Sequence, residues 1–91
     1  MLYTISYDIP DDGRRLKVAK VLKDFGERVH FSVFEARLRD DQLERLKKRI
    51  TKILEPEEDS VRIYTLCAAC AERVEILGQG MLTQDPDIIV I

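Results

Sequence analysis

The chain opens with a strand that runs into a turn and then a helix, and this stretch constrains the fold more than any other. In residues 2–9, large apolar side chains alternate with smaller or polar ones, which is the two-residue period of a β-strand with one buried face. One face carries Tyr3, Ile5, Tyr7 and Ile9, and the other carries Leu2, Thr4, Ser6 and Asp8. Pro10 ends the strand because it has no amide hydrogen to donate. Asp11 or Asp12 can then cap the helix that follows.

Residues 13–25 have the period of an amphipathic helix. Val18, Leu22 and Phe25 fall on one face of it. The polar face is basic and consists of Arg14, Arg15, Lys17, Lys20 and Lys23. Gly26 is predicted to end this helix as a left-handed C-cap.

Residues 28–38 are rich in β-forming residues, but their alternation changes phase. Val29 and Phe31 share one face, whereas Phe34 begins a second series that continues to Leu38. A slip of one residue turns every following side chain to the other face. We therefore predict two short strands with a bulge or a tight turn at residues 32–33.

The second half of the chain repeats the alternation of helix and strand. A helix is expected to begin at Asp40 or Asp41, with Glu44 in capping-box position, and to stop before Pro56. Residues 60–66 alternate like a strand, and residues 73–77 are predicted to form another short one.

The resulting order, β-α-β-β-α-β with an additional strand, predicts an α+β domain of the ferredoxin-like class over residues 1–78. Two helices cover only one face of such a sheet. The other face should therefore meet the sheet of a second copy across a two-fold axis, forming a homodimer. Residues 79–91 follow the joint at Gly78 and Gly80, and their apolar end is predicted to add a strand to a sheet edge of its own or the partner subunit.

Length and charge limit the classes of function. Ninety-one residues suffice for one domain, and a net charge of −2 argues against nucleic-acid binding through overall charge, so such binding requires a local basic patch. No apolar run approaches the roughly 18 residues of a membrane span, and no basic segment typical of a signal peptide precedes the first strand. We therefore expect a cytoplasmic protein with no membrane partner.

Asp8 is the leading candidate for chemistry. If two sheets face each other across a two-fold axis, the two copies of Asp8 can approach, and their charges repel unless a cation bridges them or one carboxylate holds a proton. Hard oxygen ligands indicate Mg²⁺ or Mn²⁺, which can activate water for attack on a phosphate. The alternative is that Asp8 only caps the turn into the helix.

Basic residues lie close to Asp8 in the sequence. Arg14, Arg15 and Lys17 could bind phosphates without reading base identity. The alternative is a solvated helix face that has no ligand.

Three other side chains admit more than one interpretation. Cys67 and Cys70 form one C-x-x-C, which is either a pair of small packed side chains, a redox pair, or half of a four-thiolate zinc site shared across a dimer. His30, the only histidine, is either a general base or an edge residue.

Five segments, taken in order, carry a specific resemblance. They are residues 7–9 (YDI), 11–15 (DDGRR), 26–35 (GERVHFSVFE), 59–64 (DSVRIY) and 74–78 (VEILG). Together they resemble the CRISPR-associated protein 2 family through nearly the whole chain up to Gly78. The resemblance implies a ferredoxin-like homodimer that assists the CRISPR integrase, CRISPR-associated protein 1, in acquiring spacers.

The resemblance also implies an activity and its residues. Family members are described as Mg²⁺-dependent endonucleases on single-stranded RNA or double-stranded DNA, and the residue matching their catalytic metal ligand is Asp8. Other positions that match functionally implicated residues are Tyr7, Arg15, Lys17, Arg28, Ser32 and Phe34. With Arg14, the basic members of this set are the expected nucleic-acid contacts. His30 stands where a Gln is often found, and Lys17 where some members have Arg.

Three functions therefore remain open from the sequence. The first is a metal-dependent endonuclease that uses an Asp8 pair. The second is a non-catalytic scaffold that bridges DNA for the integrase, as some family members do. The third is a small-molecule sensor built on the same class of fold.

Overall fold

The structure is a computed structural model and describes residues 1–84. The elements are β1 (Leu2–Asp8), α1 (Asp12–Lys23), β2 (Glu27–His30), β3 (Val33–Arg37), α2 (Asp40–Thr51), β4 (Ser60–Leu66) and α3 (Ala68–Glu72). They form a small α+β fold, and the predicted succession β-α-β-β-α-β is confirmed. Within residues 1–84, no helix combines the length and the apolar character that a membrane span requires.

The four strands form one sheet in the order β2-β3-β1-β4, and every neighbouring pair is antiparallel. β1 is therefore central, with Leu2 to Ser6 paired to β3 and all seven of its residues paired to β4. Both neighbours of β1 come from distant parts of the sequence. The position of Asp8 at the end of β1 is thus determined by long-range pairing.

The hydrophobic core lies between one face of the sheet and helices α1 and α2. Its fully buried members include Ile5 of β1, Val18 and Leu22 of α1, Phe34 of β3 and Leu46 of α2. These are the positions that the sequence periodicities assign to the buried faces. The opposite face of the sheet, here called the open face, contains Asp8.

Helices α1 and α2 both begin where predicted, but the cap of α2 differs from the prediction. Asp11 is the N-cap of α1, and its carboxylate accepts a hydrogen bond from the amide of Arg14 at 2.8 Å. The N-cap of α2 is Arg39 rather than an aspartate, and its amide donates to the side chain of Gln42 at 2.8 Å. The predicted capping role of Glu44 is therefore wrong, and α2 also ends at Thr51, five residues before Pro56.

Gly26 is not a left-handed C-cap, which corrects the sequence prediction. Positive φ angles within residues 1–84 occur at Gly78 and Gly80, whereas α1 ends through Asp24 in right-handed conformation. Gly26 is instead required by close packing: a Cβ atom there would collide with the carbonyl oxygen of Glu35 and lie 2.7 Å from the Cβ of Ala36.

The change of phase between Val29 and Phe34 has two causes. Residues 31 and 32 form the turn of a β2–β3 hairpin, and the pairing register also shifts between Arg28 and His30. The predicted pair of short strands is therefore correct, but the turn lies one residue earlier than expected, and the irregular pairing lies within β2.

The predicted strand at residues 73–77 is absent from the described part of the chain. Helix α3 follows β4 directly, and residues 73–84 then run without regular structure to β3. There, Thr83 is buried and its hydroxyl hydrogen-bonds the carboxylate of Glu35 at 3.1 Å, while Arg37 Nε donates to the Thr83 carbonyl at 2.7 Å. A strand requires a paired neighbour, and α3 turns this segment away from β4. The apolar end predicted to add a strand, residues 87–91, lies outside the described residues.

Candidate metal and nucleic-acid site

Asp8 is the last residue of β1 and points to the open face. Its side chain is exposed, and it has no hydrogen-bond or ion-pair partner within residues 1–84. The capping role that the sequence left open belongs to Asp11 instead. The carboxylate of Asp8 is thus available to a ligand.

The register of the sheet places polar residues around Asp8. Directly opposite on β4 is Ser60, and the next pair along the open face is Ser6 with Arg62. Hydroxyl groups and a guanidinium beside a free carboxylate suit a phosphate and its counter-ion.

Arg14, one of the predicted nucleic-acid contacts, is engaged within the protein. Its Nε donates to Asp59 Oδ2 at 2.7 Å, its Nη2 donates to Asp59 Oδ1 at 3.1 Å, and Nη2 also reaches Glu58 at 2.7 Å. Asp59 Oδ2 accepts a further bond from the amide of Glu55 at 2.9 Å, and the side chain of Asp59 is inaccessible to solvent. Arg14 therefore connects the start of α1 to the residue before Ser60, which pairs with Asp8.

This bidentate pair should make stability depend on pH. The hydrogen bonds from Arg14, aided by the amide of Glu55, hold the pKa of Asp59 below its usual range against the opposing effect of burial. A carboxyl whose pKa is lowered by folding stabilises the protein above the unfolded pKa of about 4 and loses that contribution as the pH falls through the folded pKa. We expect Asp59→Asn to lower the melting temperature at pH 7 and the difference from the wild type to shrink below about pH 4.

Glu57→Gln is the matched control, since it removes the same charge from an exposed neighbour that has no partner within residues 1–84. Melting curves between pH 2 and pH 8 measure the effect. A difference for Asp59→Asn that is constant across this range would contradict the assignment.

Arg15 supports the turn after Asp8. Its Nη1 donates to the carbonyl of Ile9 at 3.0 Å, and its Nη2 pairs with the carboxylate of Asp12. Part of its hydrogen-bonding capacity is therefore used within the chain, although its side chain remains 42% exposed.

Lys17 and Arg28, the other two predicted contacts, differ in position. Lys17 is exposed on α1 and has no partner within residues 1–84. Arg28 lies on the edge strand β2, paired with Phe34, and its guanidinium lies 5.3 Å from the centroid of that ring. Because Phe34 belongs to the core face, Arg28 and Asp8 are on opposite faces of the sheet within one chain.

Tyr7, Ser32 and Phe34 act within the protein to hold the hairpin turn against the end of β1. The amide of Tyr7 donates to the carbonyl of Ser32 at 3.1 Å, and the Tyr7 hydroxyl donates to the carbonyl of Phe31 at 3.3 Å. The Tyr7 and Phe34 rings pack with centroids 6.3 Å apart, and both residues are buried. They therefore position the backbone next to Asp8 and do not form an exposed stacking surface.

Arg62 is a candidate that the sequence interpretation did not include among the site residues. It is exposed on the open face, and a hydrogen bond to Tyr64 raises its pKa. The signal was present in the sequence, since Arg62 is out of phase with Val61 and Ile63. What the sequence did not show is that β4 pairs with β1, which places Arg62 near Asp8.

His30 lies at the exposed end of β2, where its ring packs edge-on against Phe31 at a centroid distance of 5.3 Å. His30 lies there because it is the last residue of β2 before the hairpin turn at residues 31–32.

A divalent ion fits the chemistry of Asp8 but needs ligands from elsewhere. Within residues 1–84, no group of three or more histidine, cysteine or acidic side chains is arranged to hold a metal. Mg²⁺, however, is commonly held by one or two carboxylates together with water and substrate phosphate oxygens. One free, exposed carboxylate per chain is therefore compatible with a metal shared between subunits and substrate.

Several known proteins are similar to this chain. The family model described as CRISPR associated protein Cas2 matches residues 1–74. The chain is 44% identical over 90 residues to the CRISPR-associated endoribonuclease Cas2 3 of Synechocystis sp., which covers 99% of this chain and 98% of the relative. It is also 44% identical over 90 residues to the CRISPR-associated endonuclease Cas2 2 of Thermus thermophilus, covering 99% and 96% of the two chains.

A solved structure extends the comparison to an assembly. A chain of a partial Cas6-RT-Cas1–Cas2 complex superposes with a TM-score of 0.72 at 29% identity, covering 84% of this chain and 89% of that one. The family match over most of the chain, together with relatives of almost equal length, shows that this protein belongs to the CRISPR-associated Cas2 family.

Proposed function

We propose that this protein is a homodimeric subunit of CRISPR spacer acquisition that cleaves phosphodiester bonds in RNA or double-stranded DNA with Mg²⁺ or Mn²⁺. The observation that carries the proposal is the carboxylate of Asp8, which is exposed, free of partners within residues 1–84 and positioned at the end of the central strand. Relatives of this chain are named endoribonuclease and endonuclease.

A homodimer is supported by apolar residues that one chain leaves exposed in the β2–β3 turn and in residues 73–84. They include Phe31 at 87%, Leu77 at 93% and Met81 at 81% exposure. Tyr64, on the open face, is 51% exposed. A small domain gains stability by covering such a surface with a second copy. The same association would bring two Asp8 side chains toward one axis, where a cation would relieve their repulsion.

The residues around Asp8 have distinct roles in this proposal. A divalent ion, when bound, would polarise the scissile phosphate and activate water for attack on phosphorus. Asp8 would hold that ion, and Arg62 would neutralise the phosphate beside it. Arg14 and Arg15 position the strand end and the turn, while Lys17 offers its charge to the nucleic-acid backbone.

The test is a cleavage panel on single-stranded RNA and double-stranded DNA, with and without Mg²⁺ or Mn²⁺, across pH. Cleavage that requires the metal supports the proposal. Cleavage that persists after treatment with a chelator would contradict it. The panel is run at several pH values because two closely spaced carboxylates bind protons as a coupled pair and not independently.

A second function, DNA bridging without cleavage, is favoured by the similarity to a chain of a complex that contains Cas1 and Cas2. In that case the integrase is the partner, and the function depends on the basic residues that bind DNA more than on Asp8. No metal-dependent cleavage of any substrate in the panel, combined with tight binding to duplex DNA, would favour this function over the nuclease.

Both functions require phosphate contacts, and Lys17→Gln tests one of them. If Lys17 contacts a phosphate, the slope of log affinity against log salt concentration should fall by about one for each Lys17 in contact. Lys23→Gln is the control, because it removes the same charge from the last turn of α1. Equal salt slopes for the wild type and Lys17→Gln would exclude the contact.

Charge reversal of Arg14 is a poor test, since it would also break the pair with Asp59.

A further inference from the structure

Cys67 and Cys70 lie where the chain leaves the sheet. Cys67 directly follows β4, Cys70 lies within α3, and both thiols are free and exposed. Residues 73–84 continue from α3 to Thr83, which is anchored on Glu35. No feature of the candidate nucleic-acid site uses these thiols.

The two thiols are neighbours and are not equivalent: Cys67 is the N-cap of α3, and Cys70 lies three residues later in the first turn of that helix. The pKa of Cys67 is lowered, chiefly by the backbone amide and then the thiol of Cys70, with a smaller contribution from the amide of Ala69. The neighbouring Cys67 thiol raises the pKa of Cys70. Cys67 is thus the better nucleophile near neutral pH, because the thiolate is the reactive form.

Metal binding does not account for the pair within the described residues. A structural zinc site needs four ligands, and since residues 1–84 contain no cluster of three or more suitable side chains, such a site would need the thiols of a second copy. Simple packing does not account for it either, since both side chains are exposed.

We propose that Cys67 and Cys70 form a redox-active dithiol, in which Cys67 attacks an oxidising disulfide and Cys70 resolves the product to an intramolecular Cys67–Cys70 disulfide. The proposal rests on the position of the two thiols, with Cys67 at the N-cap of α3 and Cys70 three residues later in its first turn, and on the exposure of both. It is independent of the proposed nuclease activity.

The reaction balances with a low-molecular-weight disulfide such as oxidised glutathione as the oxidant. The Cys67 thiolate attacks one sulfur of glutathione disulfide, forming a mixed disulfide and releasing one glutathione. Cys70 then loses its proton and attacks the sulfur of Cys67, releasing the second glutathione. Two protein thiols are oxidised and one glutathione disulfide is reduced to two thiols; excess glutathione reverses both steps.

The experiment uses the complete reduced chain, which is incubated in buffers with defined ratios of glutathione to glutathione disulfide. The reaction is quenched with acid, and the mass of the intact protein is measured by mass spectrometry. We expect the wild type to lose the mass of two hydrogens reversibly. We expect Cys70→Ser to accumulate one glutathione on Cys67, and Cys67→Ser to react about tenfold more slowly at neutral pH. Circular dichroism of both variants checks that the exchange to serine leaves the fold unchanged.

Several results would overturn the proposal. These are glutathione adducts on the wild type without an internal disulfide, disulfides between chains, equal reaction rates for the two variants, or stoichiometric zinc in the purified protein that protects both thiols. Alkylation by iodoacetamide as a function of pH gives an independent measurement, since Cys67 should become reactive at lower pH than Cys70.

Discussion

Asp8→Asn is expected to reduce metal-dependent cleavage by about two orders of magnitude or more, because loss of a residue that merely orients a metal ligand already costs 10- to 100-fold. The amide has nearly the shape of the carboxylate but lacks its charge, so it binds Mg²⁺ poorly. Since Asp8 is exposed and has no partner within residues 1–84, its replacement should leave the melting temperature unchanged. Initial rates on RNA and duplex DNA at saturating Mg²⁺ measure the effect.

Asp40→Asn is the control for charge, because Asp40 is an exposed acidic residue in the first turn of α2. It should cleave at the wild-type rate. Full activity of Asp8→Asn would exclude Asp8 as the metal ligand and leave the scaffold function.

Mixed dimers test whether one ion needs both copies of Asp8. When wild type and Asp8→Asn are unfolded together and refolded in equal amounts, a site that needs two Asp8 side chains should retain about one quarter of the activity, because only dimers of two wild-type chains are active. If each subunit acts alone, about half should remain. The second result would contradict the shared ion while keeping Asp8 catalytic.

Gly26→Ala is expected to have the largest effect on stability, about 3 kcal/mol. The added Cβ would meet the carbonyl oxygen of Glu35 and the Cα and Cβ of Ala36, and these are atoms of a central sheet strand that cannot rotate away. For a domain of this size the loss corresponds to a fall of roughly 12–24 °C in melting temperature.

The control is Gly13→Ala, in the first turn of α1, where the nearest atom to a Cβ is Oδ2 of the exposed Asp11 side chain at 3.3 Å. Its melting temperature should stay within about 5 °C of the wild type, because alanine favours the helix while the capping oxygen of Asp11 has to shift only slightly. Both variants must be compared at one protein concentration, because association shifts apparent stability. A fall of only a few degrees for Gly26→Ala would show that β2 and β3 can separate to accept the methyl group.

Local chemistry explains which elements the sequence predicts well. The alternation in β1 and β4 and the helical period in α1 and α2 depend on side-chain spacing alone, so those elements were identified correctly. The cap at Asp11 is local as well, since it involves a residue three positions away. Asp8 could likewise be placed at a strand end because Pro10 stops the strand two residues later.

Apart from the cap of α2, which is local, the errors have a different origin, which is contact between residues far apart in the chain. Position 26 has to be glycine because β3 lies too close to it to leave room for a Cβ atom. The guanidinium of Arg14 forms an ion pair within the protein and is not simply a free charge, because Asp59 is 45 residues away in sequence but adjacent in space. Residues 73–77 have the composition of a strand, yet no strand lies beside them in the described part of the chain.

By itself, the sequence determined the succession of strands and helices from β1 to β4, the faces that become the core, and the candidate aspartate, because each depends on short-range periodicity or on a local signal. Only the tertiary structure decided which charges are free and which are paired, since pairing depends on the order and register of the strands. That register brings Arg62 beside Asp8 and places Arg28 on the other face of the sheet.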